Sequence, residues 1–308
     1  MILEKTKLFA LLFFYLFRLI CLHQSLTNGN LMSSSKPDKT YIIVLGNEKG
    51  GTGKSTASMH IITYLLRQNY KVASIDVDAR QGTLTRYVEN RRLRAANTGE
   101  NLPLPDHEAI FRSSLTNVTE AEAEEKEKIT KAVEQFKNHD YIVIDTPGSD
   151  SYLSRLAHSH ADTLITPLND SFVDLDMLVR VKAESLDILK PSTYAEMVWE
   201  QKKQRAIRDG GSIDWIVMRN RLSSIYSRNK EEMEKVLKAL AKRIGFRLVD
   251  GFGERVIFRE LFLSGLTLLD MRENNVPLSL SHMAAKQELS SLMEMIQLPA
   301  QTNRSRIA

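Results

Sequence analysis

The run Lys49-Gly50-Gly51-Thr52-Gly53-Lys54-Ser55-Thr56 leaves this chain few folds to choose from. Three glycines in four positions let the backbone turn so that its N–H groups face one point, the geometry that cradles an anion. An apolar run, Tyr41–Leu45, precedes the loop, and a helical pattern, Gly53–Gln68, follows it. The helix start adds unpaired donors and positive partial charge. In such a cradle Lys54 reaches the β- and γ-phosphates of ATP and the Ser55 hydroxyl ligates Mg²⁺. The ordinary phosphate-loop pattern G-x-x-x-x-G-K-[ST] nevertheless fails, because the window ending at Ser55 begins with Glu48.

The rest of the chain supplies the sheet such a loop requires. Short apolar runs at Val72–Asp76, Tyr141–Asp145, Thr163–Thr166, Trp215–Met218 and Phe246–Val249 read as strands, and helical stretches separate them. That alternation predicts an α/β fold, a doubly wound and mostly parallel sheet covered on both faces. No Pro/Gly/Ser-rich linker interrupts residues 41–297, so they read as one P-loop ATPase domain, with residues 1–40 an extension and 298–308 a tail. The charged run Glu120–Glu134 reads as a solvated helix face. Arg94–Ser114, with Pro103 and Pro105, reads as a loop.

Asp145 closes the apolar run Tyr141-Ile142-Val143-Ile144 and precedes Thr146-Pro147-Gly148. An acid at the C-terminal end of a buried parallel strand stands at the ligand edge of the sheet, where it can hold Mg²⁺. Gly148 is placed to offer an N–H near the γ-phosphate. Asp76 and Asp78 end another strand, and alternation puts both carboxylates on one side. No histidine or cysteine is placed as a nucleophile, which agrees with direct attack by water.

Residues Leu8–Leu22 are nearly all apolar, interrupted by Arg18, with Lys5 and Lys7 in front. The run falls short of the ~20 residues that span a bilayer as a helix. It is similar to a signal-peptide apolar region, yet no clear small-x-small cleavage site follows. Two readings remain: a membrane anchor, or translation that starts at Met32, and the second is preferred. One cysteine, Cys21, excludes a disulfide framework or a cysteine-ligated cluster within one chain. A net charge of +4 permits contact with nucleic acid or an anionic membrane and establishes neither.

The pattern x-K-G-G-x-G-K-[ST] resembles the deviant Walker A motif of the ParA/MinD ATPases, and Lys49 is its marker. Further stretches resemble the division-positioning branch of that family, the MipZ ATPases. They include Gly46-Asn47-Glu48-Lys49, Asp78-Ala79-Arg80-Gln81, Glu89-Asn90-Arg91-Arg92, Asn169–Asp174, Trp199–Arg205 and Arg255–Leu269. The resemblance covers most of residues 41–297. It implies slow ATP hydrolysis, with Lys49 reaching a partner's phosphates in an ATP-dependent homodimer. It also implies that Asp78 positions the attacking water, that Asp76 lies by the metal, and that Asn220 lies near the adenine. The implied partners are a ParB-like centromere-binding protein, FtsZ and DNA without sequence preference, in the cytoplasm and on the nucleoid.

Lys202, Lys203, Arg205 and Arg208 cluster in one helical stretch, and Arg219, Arg221 and Arg243 follow. Phosphate neutralisation by such side chains gives sequence-independent, salt-sensitive binding, so these residues are the DNA candidates. Arg247 is set apart as a residue that can instead be internal. Three rival readings stay open. A MinD-like membrane switch normally needs an apolar C-terminal helix, which Gln301–Ala308 does not offer. A plasmid-type partition ATPase shares the core chemistry, as does an ATP-dependent metabolic enzyme on the same fold.

Overall fold

The computed structural model describes residues 39–78, 80–181, 188–222, 228–271 and 279–299. The expectations for residues 1–31, the Met32 start and the tail from Gln301 lie outside these residues.

Five apolar residues in a row, Tyr41–Leu45, suit a strand buried on both faces, and they form β1. The seven strands of the main sheet are β1, β2 (Val72–Asp76), β3 (Asp106–Ala109), β4 (Tyr141–Asp145), β5 (Thr163–Asn169), β8 (Asp214–Asn220) and β9 (Arg247–Asp250). They lie in the order β3-β2-β4-β1-β5-β8-β9, and every pairing is parallel. A separate antiparallel ribbon joins β6 (Val179–Val181) to β7 (Ile188–Pro191).

The helices are α1 (Lys54–Arg67), α2 (Thr83–Thr98), α3 (Val118–Gln135), α4 (Tyr152–His160), α5 (Phe172–Leu175), α6 (Thr193–Asp209), α7 (Arg228–Leu240), α8 (Ile257–Ser264) and α9 (Leu280–Ile296). One π-helical turn, Ala241–Gly245, continues α7. Successive strand residues point to opposite faces. Ile42 and Val44 therefore join a core with α3, α4, α6 and α7. Ile43 and Leu45 join the other core, with α1, α2, α8 and α9. Among the described residues no helix is long and apolar enough to cross a membrane.

Two expectations are corrected here. The stretch Arg94–Ser114 is not all loop: α2 runs on to Thr98, and Asp106–Ala109 pairs with β2 as an edge strand. Its sequence, Asp-His-Glu-Ala, lacks an apolar run because an edge strand is only half covered. β5 also runs past Thr166, through Pro167, to Asn169. Pro167 has no N–H to give, yet the ladder to β1 ends at Ile165. The missing donor therefore breaks no pairing on that side.

A buried ion pair ties α2 to the segment after α8. Arg91 is fully buried, and its Nη1 and Nη2 donate to Asp270 at 2.6 and 3.0 Å. Arg67 Nη2 and the Thr267 N–H also donate to that carboxylate, each at 2.7 Å. Burial alone would raise the Asp270 pKa, but these donors hold it well below the ordinary range. Removing one partner strands a buried charge. Asp270→Ala should therefore cost about 3 kcal/mol in urea unfolding at neutral pH. A loss no larger than that of an exposed pair would show that Arg91 finds water instead.

Candidate nucleotide site

β1 delivers the chain to the C-terminal edge of the sheet, and close packing shapes the loop that follows. At Gly46 an added Cβ would stand 2.1 Å from the buried His158 ring. Asn47 clamps the loop entry: its Nδ2 donates to the Pro167 carbonyl at 2.5 Å, and its Oδ1 accepts from the Lys49 N–H at 2.8 Å. Gly51 and Gly53 hold φ of 74° and 89°, left-handed values that glycine reaches without penalty. Gly53 precedes α1, caps it with no side chain, and no acid sits in the first helical turn. The free N–H groups there suit an anion from outside the chain.

The loop lines a cavity of about 940 Å³ with Asp78, Arg112, Ser113, Thr146 and Gly148. Lys54 is buried and its Nζ donates to the Lys49 carbonyl at 3.0 Å. Burial lowers its pKa, opposed by the charges of Asp145 and Asp78. Gly148 packs so tightly on the loop that a Cβ there would lie 2.8 Å from Gly50 Cα. A second cavity, about 560 Å³, runs from Gly53 and Thr56 past Asn220 and Arg221 to Phe252 and Phe258. Asn220 borders it, and its amide braces the loop: Nδ2 donates to the Thr52 carbonyl at 2.7 Å and Oδ1 accepts from the Phe252 N–H at 3.2 Å.

The acids meet through strand register. Asp76 and Asp145 are direct partners at the ends of β2 and β4. Asp145 accepts from Ser58 Oγ at 3.2 Å and from the Ser55 hydroxyl. Burial first, then the charge of Asp76, pushes its pKa up to about 7. Asp76 accepts from the Asp78 N–H and from the N–H and hydroxyl of Thr85, all at 2.9 Å. It therefore fixes Asp78 and the start of α2, more than it stands free for a cation. Asp78 is half-buried on the cavity wall, its pKa raised by burial and by Asp76.

His107 stands behind this bracket. Its Nε2 lies 3.1 Å from the Thr85 hydroxyl and its Nδ1 2.8 Å from the Ser74 hydroxyl. With the Thr85 hydroxyl donating to Asp76, the proton between them sits on His107 Nε2. Neither Thr85 nor His107 was legible as a site residue, since each lies in a segment without a motif.

The donor set fits a nucleotide and its metal. Ser55 and Asp145 are hard oxygen ligands of the kind Mg²⁺ takes, and a cation offsets two adjoining buried carboxylates. The buried Thr52 hydroxyl has no partner among the described residues. Nothing within 4 Å would obstruct a Cβ at Gly50 or Gly51, so the cradle is open on that side. Lys49 is engaged elsewhere: its ammonium pairs with Asp174 in α5, whose other oxygen accepts from the Asn169 N–H at 3.1 Å.

The cationic cluster needs correction. α6 turns Tyr194, Val198, Gln201 and Arg205 toward the core, a helical stripe on which Arg205 falls. Arg205 is 3% exposed, bonded to Asp162, Asp209 and the His160 and Ala161 carbonyls. Arg219 is equally buried, among Asp170, Glu234 and Asp250. Neither side chain faces a DNA backbone. Arg221 stands on the rim shared by both cavities. Lys202 lies over the Trp215 ring, Lys203 pairs with Glu200, and Arg208 reaches Asp209 and Ser159. Arg243 is an exposed residue of the π-helical turn. Arg247 is partly exposed, bonding Asp214 and the Met295 and Ile296 carbonyls.

A parallel sheet with a phosphate loop after β1 and an acid ending the adjacent β4 defines a P-loop NTPase, and Lys49 places it in the ParA/MinD class. Solved structures share this fold. An ATP complex of a McdA variant from Cyanothece superposes with a TM-score of 0.59 at 18% identity, covering 85% of this chain and 98% of that one. The Mg-ADP complex of the septum site-determining protein MinD from Pyrococcus horikoshii gives 0.50 at 17% identity, covering 84% and 96%. The chain belongs to the MipZ family, whose model, described as ATPase MipZ, matches residues 41–300. An iron-sulfur cluster carrier protein of Rickettsia felis is 27% identical over 177 residues, 50% of this chain and 54% of that protein. The chain thus spans about half the length of the curated relatives it matches.

The raised Asp145 pKa gives a test with a definite sign. Between the ordinary value of 3.8 and about 7 the folded chain holds a proton that the unfolded chain has released. The ligand-free protein therefore loses stability as pH rises through this window. A cation at Asp145 needs the carboxylate, so Mg·ADP affinity should rise with pH up to about 7 and level off above it. Titration calorimetry at about pH 6 in two buffers of different ionisation heat should show proton release. Identical heats in both buffers would remove Asp145 from the metal site.

Proposed function

We propose that this protein is an ATP-driven dimerisation switch that hydrolyses ATP slowly and positions the division site. The observation that carries it is the pair of lysines on one loop. Lys54 is buried in the lining of the phosphate cavity, while the Lys49 side chain is 35% exposed and its ammonium pairs with Asp174. A lysine placed so can exchange its carboxylate for the phosphates of a nucleotide bound to a second copy, supplying charge in trans as an arginine finger does.

The chemistry asks little of the chain. The loop N–H groups and Lys54 would neutralise the phosphates, Ser55 and Asp145 would hold Mg²⁺, and Asp78 would orient the attacking water. When bound there, Mg²⁺ would supply positive charge at the terminal phosphates. Asp76 and Thr85 act through Asp78 by fixing its backbone. Asn220 and the Phe252–Phe258 wall border the cavity that receives the base. Membership of the MipZ family supports a ParB-like protein, FtsZ and non-specific DNA as partners, in the cytoplasm and on the nucleoid. With Arg205 and Arg219 withdrawn, DNA contact falls to Lys202, Lys203, Arg208, Arg221 and Arg243. A cluster-carrier activity like that of the Rickettsia relative has no support, since Cys21 is the one cysteine.

Solution mass by light scattering tests the switch. The Asp78→Ala chain should dimerise with Mg·ATP and stay monomeric with ADP, because hydrolysis is blocked after binding. Adding Lys49→Ala should abolish the dimer while ATP still binds. A monomer under both nucleotides, with ATP bound, would end the sandwich-dimer reading and leave the nucleotide site standing.

A further inference from the structure

The segment after β3 brings a cation to the phosphate cavity that the nucleotide motif does not account for. The Ile110 N–H donates to the Asp76 carbonyl at 2.8 Å, so the chain leaves the sheet beside the acid pair. Phe111, Arg112, Ser113 and Ser114 then line the same cavity as Lys54, Asp78 and Gly148. Arg112 Nη2 donates to Ser149 Oγ at 3.2 Å, one residue beyond Gly148. Its charge acts on Asp78 on one side and Asp150 on the other.

This segment is held in place by α3. Glu125, only 7% exposed, accepts from the Ser113 N–H at 3.0 Å, and Glu124 accepts from the Ser113 hydroxyl. Lys128 Nζ donates to the Phe111 carbonyl at 3.3 Å, and the Leu115 N–H donates to Ser113 Oγ at 3.2 Å. Three of these contacts fix the backbone on both sides of Arg112, while among the described residues its own side chain is anchored by one neutral hydroxyl. A guanidinium so placed has donors left for a planar or tetrahedral oxyanion.

Resting on the ATP-site reading above, we propose that Arg112 contacts the terminal phosphate of the triphosphate bound in its own chain. It would report the third phosphate from within one protomer, independently of Lys49 and of any partner. The contact is one that ADP does not make, so it discriminates between the two nucleotides.

The experiment uses the full chain carrying Lys49→Ala, in which no lysine can act in trans. Calorimetric affinities for Mg·ADP and Mg·AMPPNP are compared with and without Arg112→Ala and Arg112→Lys. A charge-assisted bond of this kind predicts that Arg112→Ala weakens AMPPNP by about tenfold and ADP by less than about twofold. Arg112→Lys should recover part of the loss, because it keeps the charge without the fork. Equal losses for both nucleotides, or no loss, would overturn the proposal and leave the site reading intact. Failure of the Lys49→Ala chain to bind either nucleotide would overturn both. Arg112 is exposed, and an unchanged melting temperature without nucleotide separates loss of contact from loss of fold.

Discussion

Two carboxylates buried side by side repel each other and resist losing water, and the ligand edge of this sheet is organised around that pair. Asp76 and Asp145 are brought together by strand register, before any side chain chooses a rotamer. Each solves the problem differently. Asp76 fills its oxygens with the N–H groups of Asp78 and Thr85 and the Thr85 hydroxyl, so its charge is spread into α2. Asp145 accepts from two serine hydroxyls of α1, and burial beside Asp76 raises its pKa to about 7. The asymmetry is one of partners: Asp76 holds backbone and side chain in place, and in the proposed mechanism Asp145 is the acid that meets the cation.

The phosphate loop is the partner of that arrangement. Its shape depends on contacts from four places in the chain: Asn47 on Pro167, Asn220 under Thr52, His158 against Gly46, and Gly148 against Gly50. These contacts come from the ends of β5 and β8, from the segment before α4 and from α4 itself. The cradle is therefore a product of the whole sheet edge. The glycines allow its turns and the neighbours dictate them.

What was legible in the sequence follows from this. The loop, Lys54, Ser55 and Asp145 stand out because each follows a buried apolar run, and apolar runs are the strongest signal a parallel sheet emits. β3 was hidden because Asp106–Ala109 is an edge strand with no such run, and His107 and Arg112 were hidden with it. The cationic cluster misled for a different reason. Counting charges along α6 ignores that Arg205 lies seven positions after Val198, on the same inward stripe. Arg219 is the penultimate residue of a buried strand, and its three acidic partners come from elsewhere in the chain. The charged α3 read as a solvated face, yet Glu125 on it is buried and holds a loop. Long-range pairing of this sort leaves no local pattern.

The Lys49–Asp174 pair has a consequence for how sharply such a molecule can respond to its surroundings. Asp174 keeps the Asn169 N–H on one oxygen when the lysine departs, but its buried carboxylate loses the charged donor on the other, so letting go is costly. The tether is also partly open to water on the lysine side, where mobile ions compete for it. Its hold therefore weakens as salt rises, and so does the pull of any phosphate competing for the same ammonium. In the proposed switch, resting and engaged states would be softened together, and their ratio buffered against changes in ionic strength that would disturb either one alone.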